Sequence, residues 1–87
     1  MRVLMQQPPK GLEAPRYVSI SLLQDLLGGW TLMRESGQIG GKSQLKREQI
    51  LDTEQAIEAF EAARAAHFKK GFQVVFVQGA TEPKPKL

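Results

Sequence analysis

The segment over residues 52–70 carries the one clear helical pattern in this chain. Its apolar side chains recur at the three- and four-residue spacing that gives a helix a single apolar stripe. The members of that stripe are Ala56, Ile57, Phe60, Ala63, Ala66, His67 and Phe68. A helix of about five turns cannot bury such a stripe by itself, so the rest of the chain must provide a surface that covers it.

Residue types at both ends of the segment predict where the helix begins and ends. Asp52 followed by Gln55 matches a capping box, in which the aspartate accepts a hydrogen bond from the backbone amide three residues on. Lys69 and Lys70 fall in the last turn, where the helix dipole favours cations. Gly71 follows, and glycine is the common residue just beyond a helix end.

Two strand patterns precede the helix as a hairpin. In Arg16–Gln24, apolar residues alternate with serines, which is the two-residue period of a half-buried strand. The paired glycines at 28 and 29 are a turn signal, and residues 30–35 then predict a second strand antiparallel to the first.

Two further strand patterns lie on either side of the helix. Ser43–Ile50 is more polar and predicts a strand that faces solvent on one side or lies at an edge. Residues 72–78 are almost continuously apolar, which predicts a central strand buried on both faces. An edge strand hidden in a dimer is the alternative for the same run.

These patterns predict an α+β fold: an antiparallel sheet of about four strands, with one α-helix packed on one face. Residues 16–78 form the expected domain, between a flexible N-terminal arm at 1–15, which holds three prolines, and a disordered Pro/Lys tail at 79–87. The expected core consists of Val18, Ile20, Leu22, Trp30, Leu32, Ile57, Phe60, Ala63, Phe68, Val74 and Phe76.

Composition excludes some classes of protein. The chain has no cysteine, so it can form neither disulfides nor thiolate metal sites, which fits a reducing compartment. Its start has no apolar run of secretory or membrane-spanning length, and we therefore expect a cytoplasmic protein without membrane contact. The net charge of +3 is too small to indicate nucleic-acid binding by itself.

A glycine-rich stretch at 36–41 separates the second and third strand patterns. Gly37, Gly40 and Gly41 predict a tight turn or a sharply bent edge rather than the interior of a strand. The stretch lacks the Lys-Ser/Thr of a phosphate-binding P-loop and the strand-loop-helix setting of that motif.

The order of these motifs resembles the WGR domain family, named for a Trp-Gly-Arg run that follows a strand. The equivalent run here is Arg-Glu-Ser-Gly-Gln-Ile-Gly at 34–40, followed by Gly-Lys-Ser-Gln at 41–44. The family's Ala-Ile-x-x-Phe helix pattern is matched at 56–60, and its Lys-rich exit into Gly-aromatic at 69–72. The resemblance covers about residues 16–76 and implies the same α+β fold.

The chain departs from the family at its two signature side chains and at the third loop glycine, which is Ser43 here. Ser36 stands where the family has Trp, and Gln38 where it has Arg; Gly37, Ile39 and Gly40 match. In DNA-damage-activated poly(ADP-ribose) polymerases, the WGR domain binds near a DNA end. There the Trp packs on the terminal sugar, and the Arg relays contacts to neighbouring domains. Other members are small bacterial proteins. Serine has no stacking surface and glutamine lacks the charged fork of arginine, so these positions cannot repeat that chemistry.

Basic residues around the glycine-rich stretch are the candidates for a phosphate-facing surface, because phosphate contacts come mainly from Arg and Lys. A solvated polar face is the alternative for the same residues. The candidate nucleic-acid-binding residues are Arg34, Ser36, Gly37, Gln38, Lys42, Lys46, Arg47, Lys69 and Lys70.

No residue pattern supports catalysis. Trp30 is expected in the core rather than stacked on a base, and His67 has no acidic or cysteine partner at ligand spacing. We expect the acidic helix face of Glu54, Glu58 and Glu61 to be exposed to solvent. We therefore expect a non-enzymatic module without a cofactor that binds DNA weakly through a basic sheet-and-loop surface. The alternative is a protein-interaction module that has lost the DNA contacts.

Overall fold

The computed structural model describes residues 1–8 and 11–78. They form a five-stranded antiparallel sheet with one helix packed on one face, which confirms the predicted α+β class with one strand more than expected. The elements in chain order are β1 (Arg2–Gln6), β2 (Arg16–Gln24), β3 (Trp30–Gln38), β4 (Ser43–Ile50), α1 (Thr53–Lys69) and β5 (Gln73–Gln78). In space the strands follow the order β4-β3-β2-β1-β5.

The N-terminal segment is a strand of the sheet, so the prediction of a flexible arm is wrong for residues 2–6. β1 lies between β2 and β5 and pairs with both. Val3 and Met5 point under the helix and are 1% and 0% exposed. The alternation of buried and more exposed side chains in β1 covers only five residues and lies next to a proline-rich stretch, so the sequence did not indicate a separate strand. The tail predicted at 79–87 lies outside the described residues.

The helix begins at the predicted cap and is tied there to the sheet. The carboxylate of Asp52 accepts a hydrogen bond from the Gln55 amide at 2.9 Å. The indole Nε1 of Trp30, at the start of β3, donates to the Thr53 hydroxyl at 3.1 Å. Trp30 packs against the core, as predicted, and fixes the first turn of α1 over β3.

The helix ends in a Schellman motif around Gly71. The Gly71 amide donates to the Phe68 carbonyl at 3.0 Å, and the Phe72 amide donates to the His67 carbonyl at 3.1 Å. Gly71 has φ +95°, a left-handed conformation that glycine adopts without a steric penalty. The motif brings the Phe72 ring edge-on to the His67 ring, with 5.3 Å between centroids.

The turn between β2 and β3 is held by one carboxylate. Asp25 accepts hydrogen bonds from the backbone amides of Leu27 and Gly29 and, from β4, the side-chain amide of Gln49, each at 2.9 Å. Desolvation raises the pKa of Asp25, but the three hydrogen bonds outweigh it and hold the pKa below its usual value. The hydrogen bond from Gln49 thereby connects the turn to β4.

The core lies between α1 and the sheet face that it covers. Five predicted core residues are buried there, namely Val18, Ile20, Leu22, Leu32 and Phe60. Trp30 and Ala63 are partly buried against them. Sequence reasoning missed four further buried residues, which are Val3, Met5, Ala56 and Phe72.

Four predicted core residues are instead exposed: Ile57, Phe68, Val74 and Phe76. The reason is the position of the helix, which packs chiefly on β2, β3 and β4. The prediction of β5 as a central strand is wrong, because β5 pairs only with β1 among the described strands and all six of its residues are exposed. No helix formed by residues 1–8 or 11–78 is long and apolar enough to cross a membrane.

Candidate functional site

The glycine-rich stretch continues β3 before it turns. Ser36, Gly37 and Gln38 still pair with β2, and the turn itself occupies residues 39–42. A Cβ on Gly37 would stand 2.4 Å from the Lys42 carbonyl oxygen and 2.9 Å from the Ser43 Cα. The prediction that Gly37 could not be strand interior is therefore wrong. Glycine is needed inside the strand because the β4 backbone approaches it closely.

Two cations face each other across the β3–β4 ladder. Arg34 is the cross-strand partner of Lys46, and Ser36 is the partner of Gln44. Arg34 is also opposite the buried Ile20 of β2, so these pairs lie on the sheet face that carries the helix. Like charges directly opposite each other on a sheet are destabilising, and an anion between them would relieve that cost.

The end of the helix closes this part of the sheet into a groove of about 200 Å³. We call it the basic groove; its lining residues are Val18, Arg34, Ser36, Gln44, Lys46, His67 and Lys70. None of these lining residues carries a carboxylate. Within the described part of the chain, the one ion pair joins Arg64 to Glu61 on the helix. Glu48 lines an adjoining depression together with Arg34 and Lys46, but it forms no ion pair with either.

His67 belongs to the basic groove and was not among the predicted site residues. Its Nδ1 lies 2.9 Å from the Ala63 carbonyl oxygen. Because a carbonyl oxygen can only accept, Nδ1 donates this bond and the neutral ring keeps Nε2 as an acceptor. The signal that could have found His67 is its spacing from Lys70, since residues three apart lie on one side of a helix.

A second depression continues from the basic groove around the end of β3. The two share Ser36 and Gln44 in their linings. We call this second part the loop depression; its lining residues are Arg16, Tyr17, Ser36, Gly37, Lys42, Ser43, Gln44 and Phe72. It adds the cations Arg16 and Lys42, again with no carboxylate in its lining. Arg16 was missed because it opens β2, far in sequence from the glycine-rich stretch.

Three of the predicted residues lie elsewhere. Arg47 is opposite Met33, on the sheet face away from the helix, and is not in the lining of the basic groove, although it borders an adjoining depression together with Arg34, Lys46 and Glu48. Lys69 lines a groove on the other flank of the helix. Gln38 donates its side-chain amide to the Ala14 carbonyl at 3.2 Å. Lys46 and Arg47 thus belong to opposite faces of β4, and Lys70 and Lys69 line different grooves, although each pair is adjacent in sequence.

Comparison with known proteins adds no assignment, because no family model, curated protein or solved structure matches this chain.

Proposed function

We propose that this chain is a small, non-enzymatic, cytoplasmic WGR-like module that binds DNA weakly through the basic groove and the loop depression. The contacts would be made to phosphates, so that binding depends on salt and not on base sequence.

The observation that carries this proposal is the convergence of cations in a groove whose own lining has no carboxylate. Arg34, Lys46 and Lys70 line one groove, and none of the residues lining it carries an opposing charge. Arginine offers a planar fork of donors and lysine a point charge, and both suit phosphate oxygens. The hydroxyl of Ser36 and the amide of Gln44 add neutral donors between them.

The replaced signature residues limit the mode of binding that we propose. Gln38 is engaged with the Ala14 carbonyl, and Ser36 has no surface on which a sugar could pack. Trp30 cannot substitute, because it is packed against the core and bonded to Thr53. We therefore expect backbone contacts along a duplex rather than recognition of a terminal nucleotide.

A titration of end-labelled, 5′-phosphorylated duplex DNA at two salt concentrations tests the proposal. If Arg34, Lys46 and Lys70 each neutralise one phosphate, affinity should fall roughly 40-fold between about 50 and 200 mM salt. Lys46→Ala with Lys70→Ala should weaken binding and reduce the salt slope by about 2, since each phosphate contact contributes roughly one unit.

The chain offers a matched control in the neighbouring residues. Arg47→Ala with Lys69→Ala removes the same net charge from positions outside the basic groove and should change affinity much less. A flat titration of the unaltered protein at low salt would rule out DNA binding. Equal losses in the two double variants would show that net charge, and not the basic groove, causes any binding.

The second candidate function is a protein-interaction module without DNA contacts. The sheet face away from the helix favours it, because this face is uncovered and exposes Leu23 and Leu45 beside the half-buried Met33. A flat DNA titration, combined with loss of a protein partner on Leu45→Asp, would support this function in place of the first.

A further inference from the structure

The outer edge of β5 is apolar and carries no charge. Its residues Val75 and Phe76 are 53% and 48% exposed, and Phe68 of the adjoining helix is 65% exposed. Proteins usually protect an exposed sheet edge with charged side chains, because its unpaired backbone groups can pair with another strand. β4, the opposite edge, follows that rule with Lys46, Arg47 and Glu48, whereas β5 has no charged residue.

The pairing of β5 with β1 contains an irregularity, and this irregularity determines which side chains of β5 lie on the same face of the sheet. Val77 is opposite Val3 and Val74 is opposite Met5, with a register shift between them. Val3 and Met5 are two apart in a strand and therefore point to the same side, under the helix. Val74 and Val77 consequently share that side although they are three residues apart.

The remaining residues of β5 with assigned partners lie on the other face. Gln73 and Gln78 are opposite Gln6 and Arg2, and Phe76 is opposite the intervening residue of β1. Along the strand the order is Gln-Val-Val-Phe-Val-Gln, which reads almost the same in both directions. A two-fold axis between residues 75 and 76 would place Gln73 opposite Gln78 of a second copy, and Val74 opposite its Val77. Both pairings then match in face as well as in residue type.

We propose that β5 pairs in antiparallel orientation with β5 of a second copy of this chain, which joins the two sheets into one. Such an interface is isologous: each copy presents the same patch, and the patch must be complementary to itself. The face-matched register of β5 meets that condition. The strand contributes no charge that would repel its own copy.

The exposed apolar area is sufficient for a modest dimer. The five exposed side chains, which are Phe68, Val74, Val75, Phe76 and Val77, present on the order of 400 Å² per copy, because an aromatic side chain spans roughly 200 Å². Two copies would bury about 800 Å² of side-chain surface, before backbone and glutamines are counted, against roughly 1,200–2,000 Å² in a standard interface. We therefore expect micromolar association.

The groove beside β5 has both acidic and basic residues in its lining, and it lies at the rim of the proposed dimer surface. It lies between the helix and β5, has a volume of about 380 Å³, and is lined by Met5 and Val74 together with Glu61, Arg64 and Lys69. Two copies related by a two-fold axis would thus bring acidic and basic groups to the same rim, which avoids repulsion between single-sign surfaces.

Sedimentation velocity of the full chain over about 1–500 μM tests the proposal, with dimers expected in the upper part of that range. Val77→Lys should weaken association at least tenfold, because it sets an ammonium against the apolar Val74 of the second copy. Leu27→Lys is the control in the turn between β2 and β3 and should leave association unchanged; Leu27 is 83% exposed and Val77 is 40% exposed. Circular dichroism verifies that each variant is folded.

A compensating variant tests the register itself. Val74→Glu combined with Val77→Lys should restore association, since each glutamate would face a lysine of the second copy at two symmetric positions. A wild-type chain that stays monomeric throughout the concentration range would overturn the proposal. So would equal weakening by Leu27→Lys, or a double variant that associates no better than Val77→Lys.

Discussion

Gly37 is the residue at which local backbone chemistry and the candidate site meet. It lies inside β3, between Ser36 of the basic groove and the turn that carries Lys42. The missing Cβ lets the start of β4 approach, and this approach holds Gln44 and Lys46 opposite their partners in β3. Gly37 therefore positions the cations of the candidate site by allowing this close approach.

Gly37→Ala should destabilise the protein by about 1–3 kcal/mol, because the added methyl group would overlap the Lys42 carbonyl and force the strands apart. Gly41→Ala is the control, since its Cβ would meet nothing closer than 3.4 Å and should change stability by no more than about 0.5 kcal/mol. Urea unfolding of both variants measures the difference. Equal stabilities would contradict the close approach.

At the scale of elements, β1 and β5 depart most from expectation. β1 looks like part of a proline-rich arm in the sequence, yet it lies between two strands and supplies buried side chains to the core. β5 looks like a buried central strand, yet it lies at an edge. The two departures have one cause: β1 occupies the place beside β2 and moves β5 outward by one strand.

Met5→Ala should reduce the free energy of unfolding by about 2–5 kcal/mol, because it opens a cavity at a side chain with 0% exposure. Leu4→Ala, at the neighbouring half-buried position on the other face, should cost only about 1 kcal/mol. Chemical denaturation followed by tryptophan fluorescence compares them. If Met5→Ala were no more costly than Leu4→Ala, the Met5 side chain of β1 would not be part of the core.

At the scale of the whole molecule, the helix divides the sheet into a covered and an uncovered part. It packs on β2, β3 and β4, so that its C-terminal end stands over the basic groove. The β5 edge is left outside this cover. The proposed DNA-binding surface and the proposed dimer surface thus use different strands, β3 and β4 for the one and β5 for the other.

Hydrogen exchange of backbone amides should follow this division. In dilute solution, β2 and β3 should exchange slowest, because each has two neighbouring strands and lies under the helix. β4 and β5 should exchange fastest among the described strands, since each has one neighbour and no buried side chain. Protection of β5 as strong as that of β2 in dilute solution would contradict this order.

Sequence reasoning succeeded where the signal is local. The bounds of β2 and β4 agree with the prediction, as do the cap at Asp52 and the helix end at Gly71. Prediction from the sequence failed where it required knowing which strands are neighbours in the sheet. The apolar run of β5 is the same whether the strand is central or at an edge, and the alternation in β1 was too short to be recognised. Of the candidate site, Arg34, Lys46 and Lys70 line the basic groove, whereas Arg47 and Lys69 do not.

The sequence by itself determined which segments form the helix and four of the strands, because capping, turn formation and side-chain periodicity depend on residues a few positions apart. Only the tertiary structure decided the order of the strands, the place of the helix over the sheet, and therefore which cations converge. Those features depend on pairing between residues far apart in the chain, and the alternation within one strand does not specify which strand lies beside it.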